Sequence, residues 1–312
     1  MENIQSEKCV NCGSQDYQFL HRGKDRLHGI GGEFSVDICT QCGLNAIHPK
    51  LSLNEMEKYY PTDYVSFPKA VEDEKFSLKR LDRKIGIKRR CKVINQRVEK
   101  TGRILDIGCA TGNFLRGMQE FGWDCYGIEP SEYAANYAIK RFNLQVIHGY
   151  LTEHLFEENY FDVVSLWDVF EHLPEPKNDL SIIKTILKPG GMLIITTPNV
   201  DSWGRKIFKE HWVGWDVPRH YHVFSPITIE DILNRSSFTT KEIISFTGRH
   251  GAFLISLQFL LLEKQIPTWR KKLIFTICRS LFFRVMAYPF FLWAERSNHS
   301  SIMTVFAKKE AS

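Results

Sequence analysis

The sequence predicts an α/β fold, doubly wound around a mostly parallel sheet, with a small metal-binding module before it and an apolar helical insert near its C-terminal end. Two C-x-x-C pairs lie within the first 50 residues. From residue 102 onward, short apolar runs alternate with helix-length stretches, and residues 251–296 are strongly apolar and aromatic. Strands separated by helices indicate βαβ units, which form parallel sheets.

The composition is that of an ordinary globular protein, with 312 residues, 43% hydrophobic and 25% charged, and a formal net charge of +5. Residues 69–100 hold 12 Lys/Arg against 5 Asp/Glu. Such a basic stripe could bind phosphates or an anionic membrane surface, or could simply be the solvated face of a connecting helix.

The eight cysteines are not spaced as in a secreted disulfide scaffold, and the N-terminus shows no signal-peptide pattern. We therefore expect a cytoplasmic protein, with peripheral membrane contact left open.

Residues 1–50 are predicted to form a zinc-ribbon-like module. Cys9 and Cys12 form one C-x-x-C-G knuckle, and Cys39 and Cys42 form the other. Four thiolates at this spacing can surround one Zn²⁺ tetrahedrally, and so small a module has little core of its own. The alternatives are four reduced core cysteines or a redox pair. Since the thiolates fill the coordination sphere, we expect a structural ion.

Residues 51–101 are predicted to connect this module to the core through a short helix that begins at Ser52 and a long charged helix over residues 72–100. Residues 102–250 are predicted to form a Rossmann-like core, and residues 297–312 a final strand and tail. The strands predicted in the core are Arg103–Ile107, Asp124–Ile128, Gln145–His148, Phe161–Trp167, Met192–Thr196 and Phe238–Phe246.

A glycine-rich turn follows the first core strand with the pattern D-x-G-x-A-x-G. Position 113 is Asn, so the G-x-G-x-x-G pattern that places a pyrophosphate on a helix N-terminus is missing. A carboxylate just before the turn, Asp106, suits an α-amino group instead. A second acid, Glu129, ends the next strand, where it can accept both hydroxyls of a ribose. Together the two motifs favour S-adenosylmethionine over a dinucleotide.

With these motifs the sequence resembles the class I S-adenosylmethionine-dependent methyltransferases over roughly Gly102–Phe246 and the last strand. The branch that includes ubiquinone-biosynthesis O-methyltransferases and sugar-modifying methyltransferases is the most similar. Further matching pieces are F-D-V-V-S-L-W-D-V-F-E-H at 161–172 and L-K-P-G-G-M-L-I-I-T-T-P-N at 187–199. The resemblance implies a cofactor site with four parts. The methionine end would contact Asp106, Gly108, Ala110 and Gly112, and the ribose would contact Glu129. The adenine would contact Tyr150 and Leu151, and Trp167 and Asp168 would close the far side.

Two positions depart from the family pattern. Ala110 replaces the middle glycine of the turn, which should still allow a close approach. Tyr150 stands where the family often has an acid for the adenine amino group, so we expect stacking or backbone recognition there.

The first candidate catalytic cluster follows the fourth core strand. Asp168, Glu171 and His172 stand at i, i+3 and i+4, and are predicted to share one face of a helical turn. His172 is a candidate general base because the pKa of an imidazole lies near neutral pH. The alternatives are a divalent-ion site, or a loop that Glu171 and His172 fix by hydrogen bonds.

The second cluster is the segment His211–Ser225, which is dense in Trp, His and Arg. Trp212 and Trp215 are candidate flat walls for an acceptor, and Arg219 a partner for its carboxylate or phosphate. His220 is a further catalytic candidate. Core packing is the alternative for the whole segment.

The apolar insert is not predicted to cross a membrane. Leu273–Ala294 is long enough, but Arg279 and Arg284 lie within it. Three interpretations of residues 251–296 remain: a helix lying on a membrane surface, a lid over the acceptor site, or a homodimer interface.

The sequence thus predicts an enzyme that transfers a methyl group from S-adenosylmethionine to an oxygen or carbon atom of a small or carrier-bound acceptor. Candidate acceptors are a saccharide, a nucleotide-sugar or a lipid-linked intermediate. The alternatives are a zinc-ribbon RNA-binding protein or RNA methyltransferase, and a catalytically silent interaction module. DNA is not an expected partner.

Overall fold

The computed structural model describes residues 7–60, 70–74, 77–246 and 249–310. The elements in chain order are β1 (Tyr17–Gly23), β2 (Phe34–Cys39), β3 (Asn45–His48), α1 (Leu53–Glu57), α2 (Ser77–Asn95), β4 (Arg103–Ile107), α3 (Asn113–Gln119), β5 (Asp124–Glu129), α4 (Glu132–Phe142), β6 (Gln145–His148), β7 (Phe161–Trp167), α5 (Pro176–Ile186), β8 (Leu187–Pro198), α6 (Trp203–Phe208), β9 (His222–Val223), α7 (Pro226–Arg235), β10 (Phe238–Ile244), α8 (Arg249–Glu263), α9 (Thr268–Arg279), α10 (Leu281–Arg296) and β11 (Ile302–Lys309). Short 3₁₀ turns cover Val71–Asp73, Phe170–His172, Lys209–His211 and Val213–Trp215.

A seven-stranded sheet in the order β10-β11-β8-β7-β4-β5-β6 forms the centre of the fold. Strands β8, β7, β4, β5 and β6 pair in parallel, and β11 runs antiparallel between β8 and β10. Neighbouring residues of β4 belong to different cores: Ile104 packs with α2 and α3, and Leu105 with α5 and α7. Helices therefore cover both faces, which confirms the predicted doubly wound α/β class.

A second sheet, in the order β1-β2-β3-β9, joins the N-terminal segment to the rest of the chain. The register pairs Asn45 with Val223 and Ala46 with His222. The side chain of Asn11 also donates a hydrogen bond to Asp231 of α7 at 2.9 Å. The cysteine-bearing segment is thus bound to the segment that follows β8.

Both predicted helix starts at serine are confirmed. The hydroxyl of Ser52 caps α1 in a capping box with Glu55, and Ser225 caps α7. The prediction of one helix over residues 72–100 is wrong, because a 3₁₀ turn precedes α2 and α2 ends at Asn95. The Asn95 amide there donates to the carbonyl of Cys91 and accepts from the Trp123 indole, which fixes the turn toward β4. Predicted helical residues 61–67 and 75–76 lie outside the described residues.

Helices α8, α9 and α10 fill the interval before β11. No single helix in the described ranges is both long and apolar enough to cross a bilayer, and α9 with α10 reaches that length only with a 65° bend between them.

Candidate active site

A cavity of about 1770 Å³ opens at the carboxyl ends of β4, β5 and β7. Ligands of open parallel sheets bind at this edge, because the loops that follow the strands meet there. Eight of the nine predicted cofactor residues line the cavity: Asp106, Gly108, Ala110, Glu129, Tyr150, Leu151, Trp167 and Asp168. Residues of α1, α2, α8 and α10 complete the wall.

The turn after β4 brings backbone close to the cavity. Gly108 has φ +71°, and a Cβ there would lie 2.6 Å from Cγ2 of Val169. Its amide donates to the carbonyl of Ile128 at 2.8 Å, which holds the turn against β5. Ala110 adopts φ +47°, a left-handed conformation that costs a non-glycine residue about 1 kcal/mol. The amide of Ala110 compensates by donating to Glu129 Oε2 at 2.8 Å.

Gly112 does not line the cavity, although its neighbours Thr111 and Asn113 do. It precedes α3 with φ +74°, and a Cβ there would lie 2.5 Å from Leu144 and 2.9 Å from Ala138. This glycine is required for close packing of the turn against α4.

The two predicted acids reach the same edge because β4 and β5 are parallel neighbours. Asp106 is buried and accepts a hydrogen bond from the Ser165 hydroxyl at 2.7 Å. Burial raises the pKa of Asp106 to about 7. Glu129 accepts backbone hydrogen bonds from Ala110 and Ser131, both at 2.8 Å, and burial raises its pKa as well. Both carboxyls lie where a cation or hydroxyl groups would stabilise their charged form.

Arg90 of α2 is a cavity residue that the sequence analysis missed. Its guanidinium lies 4.6 Å from the ring centroid of Trp167, and Nη2 is 3.5 Å from Oδ2 of Asp168. The basic content of residues 69–100 was the only signal, and it does not separate a cavity arginine from a solvated one.

His172 lines the cavity with a defined tautomer. Its Nδ1 is 2.9 Å from the carbonyl oxygen of Arg219 and 3.0 Å from the hydroxyl of Tyr60. Because a carbonyl can only accept, Nδ1 carries the proton and Nε2 keeps the lone pair. Burial, together with nearby His220, lowers the pKa of His172 to about 3. The ring is therefore a neutral hydrogen-bond acceptor at neutral pH, and the near-neutral pKa expected from the sequence is not retained.

Glu171 and His220 lie behind His172 and do not line the cavity. His220 donates through Nδ1 to the carbonyl of Gly214, and its Nε2 is 4.0 Å from Glu171 Oε1. One ligand atom from each of Glu171, His172 and His220 lies within 4.8 Å of the others. Burial and the nearby Asp168 raise the pKa of Glu171 well above its usual range.

The predicted helical turn that carries Asp168, Glu171 and His172 on one face is wrong. Asp168 has φ +58°, and the 3₁₀ turn begins only at Phe170. His220 therefore takes the place expected for Asp168 in this cluster.

A profile of the methyltransferase domain family matches residues 82–257, more than half of the chain. The chain belongs to this family. The ubiquinone biosynthesis O-methyltransferase of Paraburkholderia phymatum is 30% identical over 149 residues, which cover 44% of this chain and 62% of that protein. The enzyme of the same name from Idiomarina loihiensis is 32% identical over 159 residues, which cover 47% of this chain and 64% of that protein. The chain thus spans less than two thirds of the length of these curated relatives.

A solved S-adenosylmethionine-dependent methyltransferase from Archaeoglobus fulgidus is 21% identical, with a TM-score of 0.48. The likeness covers 72% of this chain and 93% of that one.

Three residues that were predicted to bind the methyl acceptor lie in the core of the protein instead. Trp212 and Trp215 are buried against each other with ring centroids 5.5 Å apart. Arg219 is fully buried and donates to Asp216 at 2.6 Å and to Asp25 at 2.7 Å. With its charge neutralised by two carboxylates, Arg219 is not available to an acceptor. A dense aromatic and basic run does not by itself distinguish core from pocket.

The four predicted metal ligands converge beside β2. Sγ of Cys9 lies 3.6 Å from Sγ of Cys42, and Sγ of Cys12 lies 3.5 Å from Sγ of Cys39. All four sulfur atoms lie within 4.8 Å of one another. A tetrahedral ion with Zn–S bonds of 2.3 Å requires S–S distances of about 3.8 Å. The thiols therefore fit such an ion.

Proposed function

We propose that the protein transfers a methyl group from S-adenosylmethionine to a hydroxyl oxygen of an amphiphilic acceptor. The observation that carries the proposal is that His172, neutral and with the lone pair on Nε2, lines the same cavity as the two acids predicted to hold the cofactor. Family membership supports the methyl transfer, and the named activity of the two bacterial relatives supports oxygen as the acceptor atom.

The residues at the ends of β4 and β5 would hold the cofactor. Asp106 would accept from the α-amino group, and Glu129 from the ribose hydroxyls through the lone pairs that its two backbone bonds leave free. Tyr150, whose side chain opens into the cavity, would stack on the adenine. When bound, the sulfonium supplies an activated methyl group, so the protein has mainly to orient the acceptor.

His172 would then remove the acceptor proton. The cofactor, held by Asp106 and Glu129, would supply the methyl group to the acceptor oxygen. The proton of the hydroxyl passes to Nε2. Nδ1 stays bonded to the carbonyl of Arg219, which keeps the ring oriented and stabilises the imidazolium that forms.

The part of the cavity lined by α1, α2 and α10 favours an amphiphilic acceptor over a plain saccharide. Its apolar lining comes from three helices and the segment after β10. The residues are Leu53 and Met56 of α1, Ile85 of α2, Phe291 of α10 and Phe246. Four arginines stand among these side chains. Arg89 is one, and the other three lie 3.4–3.5 Å from a carboxylate, in the pairs Arg83–Glu74, Arg90–Asp168 and Arg284–Asp82. A lipid-linked intermediate with an anionic group matches both kinds of lining.

We further propose that Cys9, Cys12, Cys39 and Cys42 hold one structural Zn²⁺. The sulfur distances support this, and all four ligands come from the protein, so no position is left for a substrate.

Calorimetric titration with S-adenosylmethionine tests the cofactor assignment. Asp106→Asn and Glu129→Gln should each weaken binding at least tenfold, because each removes a charge from a buried hydrogen-bonding site. Asp124→Asn is the matched control, since Asp124 lies exposed at the opposite end of β5. Equal affinity in all four proteins would reject the proposal, and so would absence of binding to the wild type.

A further inference from the structure

Helix α9 packs Phe275 and Cys278 against the core but leaves another row of apolar side chains uncovered. Trp269, Leu273 and Ile277 follow one another at intervals of four residues, so they lie on one face, and each is more than half exposed. No side chain of α9 is fully buried. A helix of 12 residues is marginal in water without packing against a partner. The exposed face of α9 therefore lacks the contact that would stabilise it.

Helix α10 extends this surface. Leu281, Phe282, Val285 and Met286 are between 62% and 75% exposed. So many exposed large apolar side chains on two successive helices are unusual on a protein surface and mark a site of contact. We call it the α9–α10 face, and it comprises Trp269, Leu273, Ile277, Leu281, Phe282, Val285, Met286, Tyr288 and Trp293.

Cations predominate around the α9–α10 face, and one of them, Arg284, lies 3.4 Å from Asp82 of α2. Residues 264–294 contain six Lys or Arg and no Asp or Glu. The cations are Lys264, Arg270, Lys271, Lys272, Arg279 and Arg284. The partner of this surface must therefore be apolar and carry negative charge.

A second copy of the chain does not meet that requirement. A symmetric dimer places the same patch on both sides of the interface, so the cations of one copy would face the cations of the other and repel them. Single-stranded nucleic acid would satisfy the charge, but it would leave the aliphatic side chains Leu273, Ile277 and Val285 without a partner.

We propose that the α9–α10 face docks on the surface of an anionic phospholipid bilayer. The apolar side chains would enter the boundary between head groups and acyl chains, and the cations would meet the lipid phosphates. Trp269, Tyr288 and Trp293 are of the type that favours this boundary.

The docked helix also forms part of the cavity wall. Arg284, Tyr288 and Phe291 of α10 line the cavity that holds His172. An acceptor with an apolar tail would enter the site directly from the bilayer beside α10. This route rests on the proposed function, whereas the bilayer contact stands without it.

Vesicle flotation with the full-length protein, without cofactor, tests the contact. The wild type should float with vesicles that contain phosphatidylglycerol, and at least tenfold less protein should float with pure phosphatidylcholine or at high salt. Leu273→Glu and Phe282→Glu should each reduce the floated fraction at least tenfold. Ile227→Glu on α7 is the matched control, because Ile227 is 73% exposed but lies outside the face.

Two results would overturn the proposal. One is a wild type that stays unbound with anionic vesicles at low salt. The other is a dimer in sedimentation equilibrium that Phe282→Glu dissociates, which would assign the face to a second copy. Since the assay contains no S-adenosylmethionine, failure of the proposed methyl transfer would leave its outcome unchanged.

Discussion

The backbone carbonyl of Arg219 accepts a hydrogen bond from Nδ1 of His172 at 2.9 Å. Arg219 itself is held by the buried carboxylates of Asp25 and Asp216. Asp25 lies in the N-terminal segment, whereas His172 lies after β7. The N-terminal segment therefore helps to set the tautomer of a cavity residue, although none of its described residues, 7–50, lines the cavity.

His172→Ala should lower kcat/KM for methyl transfer at least 100-fold while the affinity for S-adenosylmethionine is kept, because general-base catalysis is lost but the cofactor contacts are not. Steady-state kinetics combined with calorimetry separates the two quantities. Normal turnover in this variant would eliminate His172 as the base. A strict requirement of the wild type for a divalent cation would instead assign Glu171, His172 and His220 to a metal site.

The pH dependence of the rate gives a second test of His172. A base loses activity as the pH falls through its pKa, and the pKa of His172 lies at about 3. We therefore expect that protonation of this ring causes no fall in kcat/KM between pH 8 and pH 5. A limb near pH 6.5 that disappears in His172→Gln would contradict this expectation.

Cofactor binding should release a proton from Asp106. Burial holds its pKa at about 7, so a large fraction of this carboxyl is protonated in the empty site at neutral pH. A bound ammonium favours the carboxylate, so affinity should fall up to tenfold per pH unit below pH 7 and level off above it. Calorimetry in buffers of different ionisation enthalpy measures the released proton. Asp106→Asn should abolish both effects, and a pH-independent wild type would argue against an ammonium contact.

Arg219→Met should destabilise the fold by about 3–5 kcal/mol, since it leaves buried carboxylates without a partner. Burial alone would lower the pKa of Arg219, but its hydrogen bonds to Asp216 and Asp25 raise it above the usual value. Arg235→Met is the matched control: its ion pair with Asp231 is exposed and screened by solvent, so its loss should change the stability far less. Urea unfolding measures both. If the Arg219→Met protein had normal stability but no activity, we would conclude that Arg219 binds the acceptor.

Local signals in the sequence were enough to predict the core strands and the glycine-rich turn that follows β4. The strand Arg103–Ile107 was predicted with the bounds that the structure shows, because a buried parallel strand is an uninterrupted apolar run between polar turns. The serine starts of α1 and α7 were predictable because capping depends on the next three residues only.

Contacts between distant residues were not predictable in the same way. Arg219 and Asp25 are 194 positions apart, and nothing near either residue indicates the other. Strand β9 has two residues, too few for a periodic signal. Arg90 lies on a helix whose charge pattern is equally typical of a solvated face, so only the packing of α2 shows that it lines the cavity.

Loss of the metal should weaken the His172 site as well as the cysteine module. Strand β3 pairs with β9, which begins two residues after His220. Unfolding of residues 9–48 would therefore remove this pairing. It would also remove Asp25, which forms an ion pair with Arg219. A Cys9→Ser/Cys42→Ser double variant should lose its stoichiometric zinc, and its methyl transfer should fall at least tenfold.

Metal analysis, thermal unfolding and turnover measured on the same preparations test this coupling. Cys278→Ser is the matched control, because Cys278 lies half-buried in α9 and takes no part in the cluster. Zinc retained by the double variant would remove the metal assignment. Loss of zinc with unchanged turnover would instead show that the remaining contacts of Arg219 suffice to orient His172, and that the module serves another purpose.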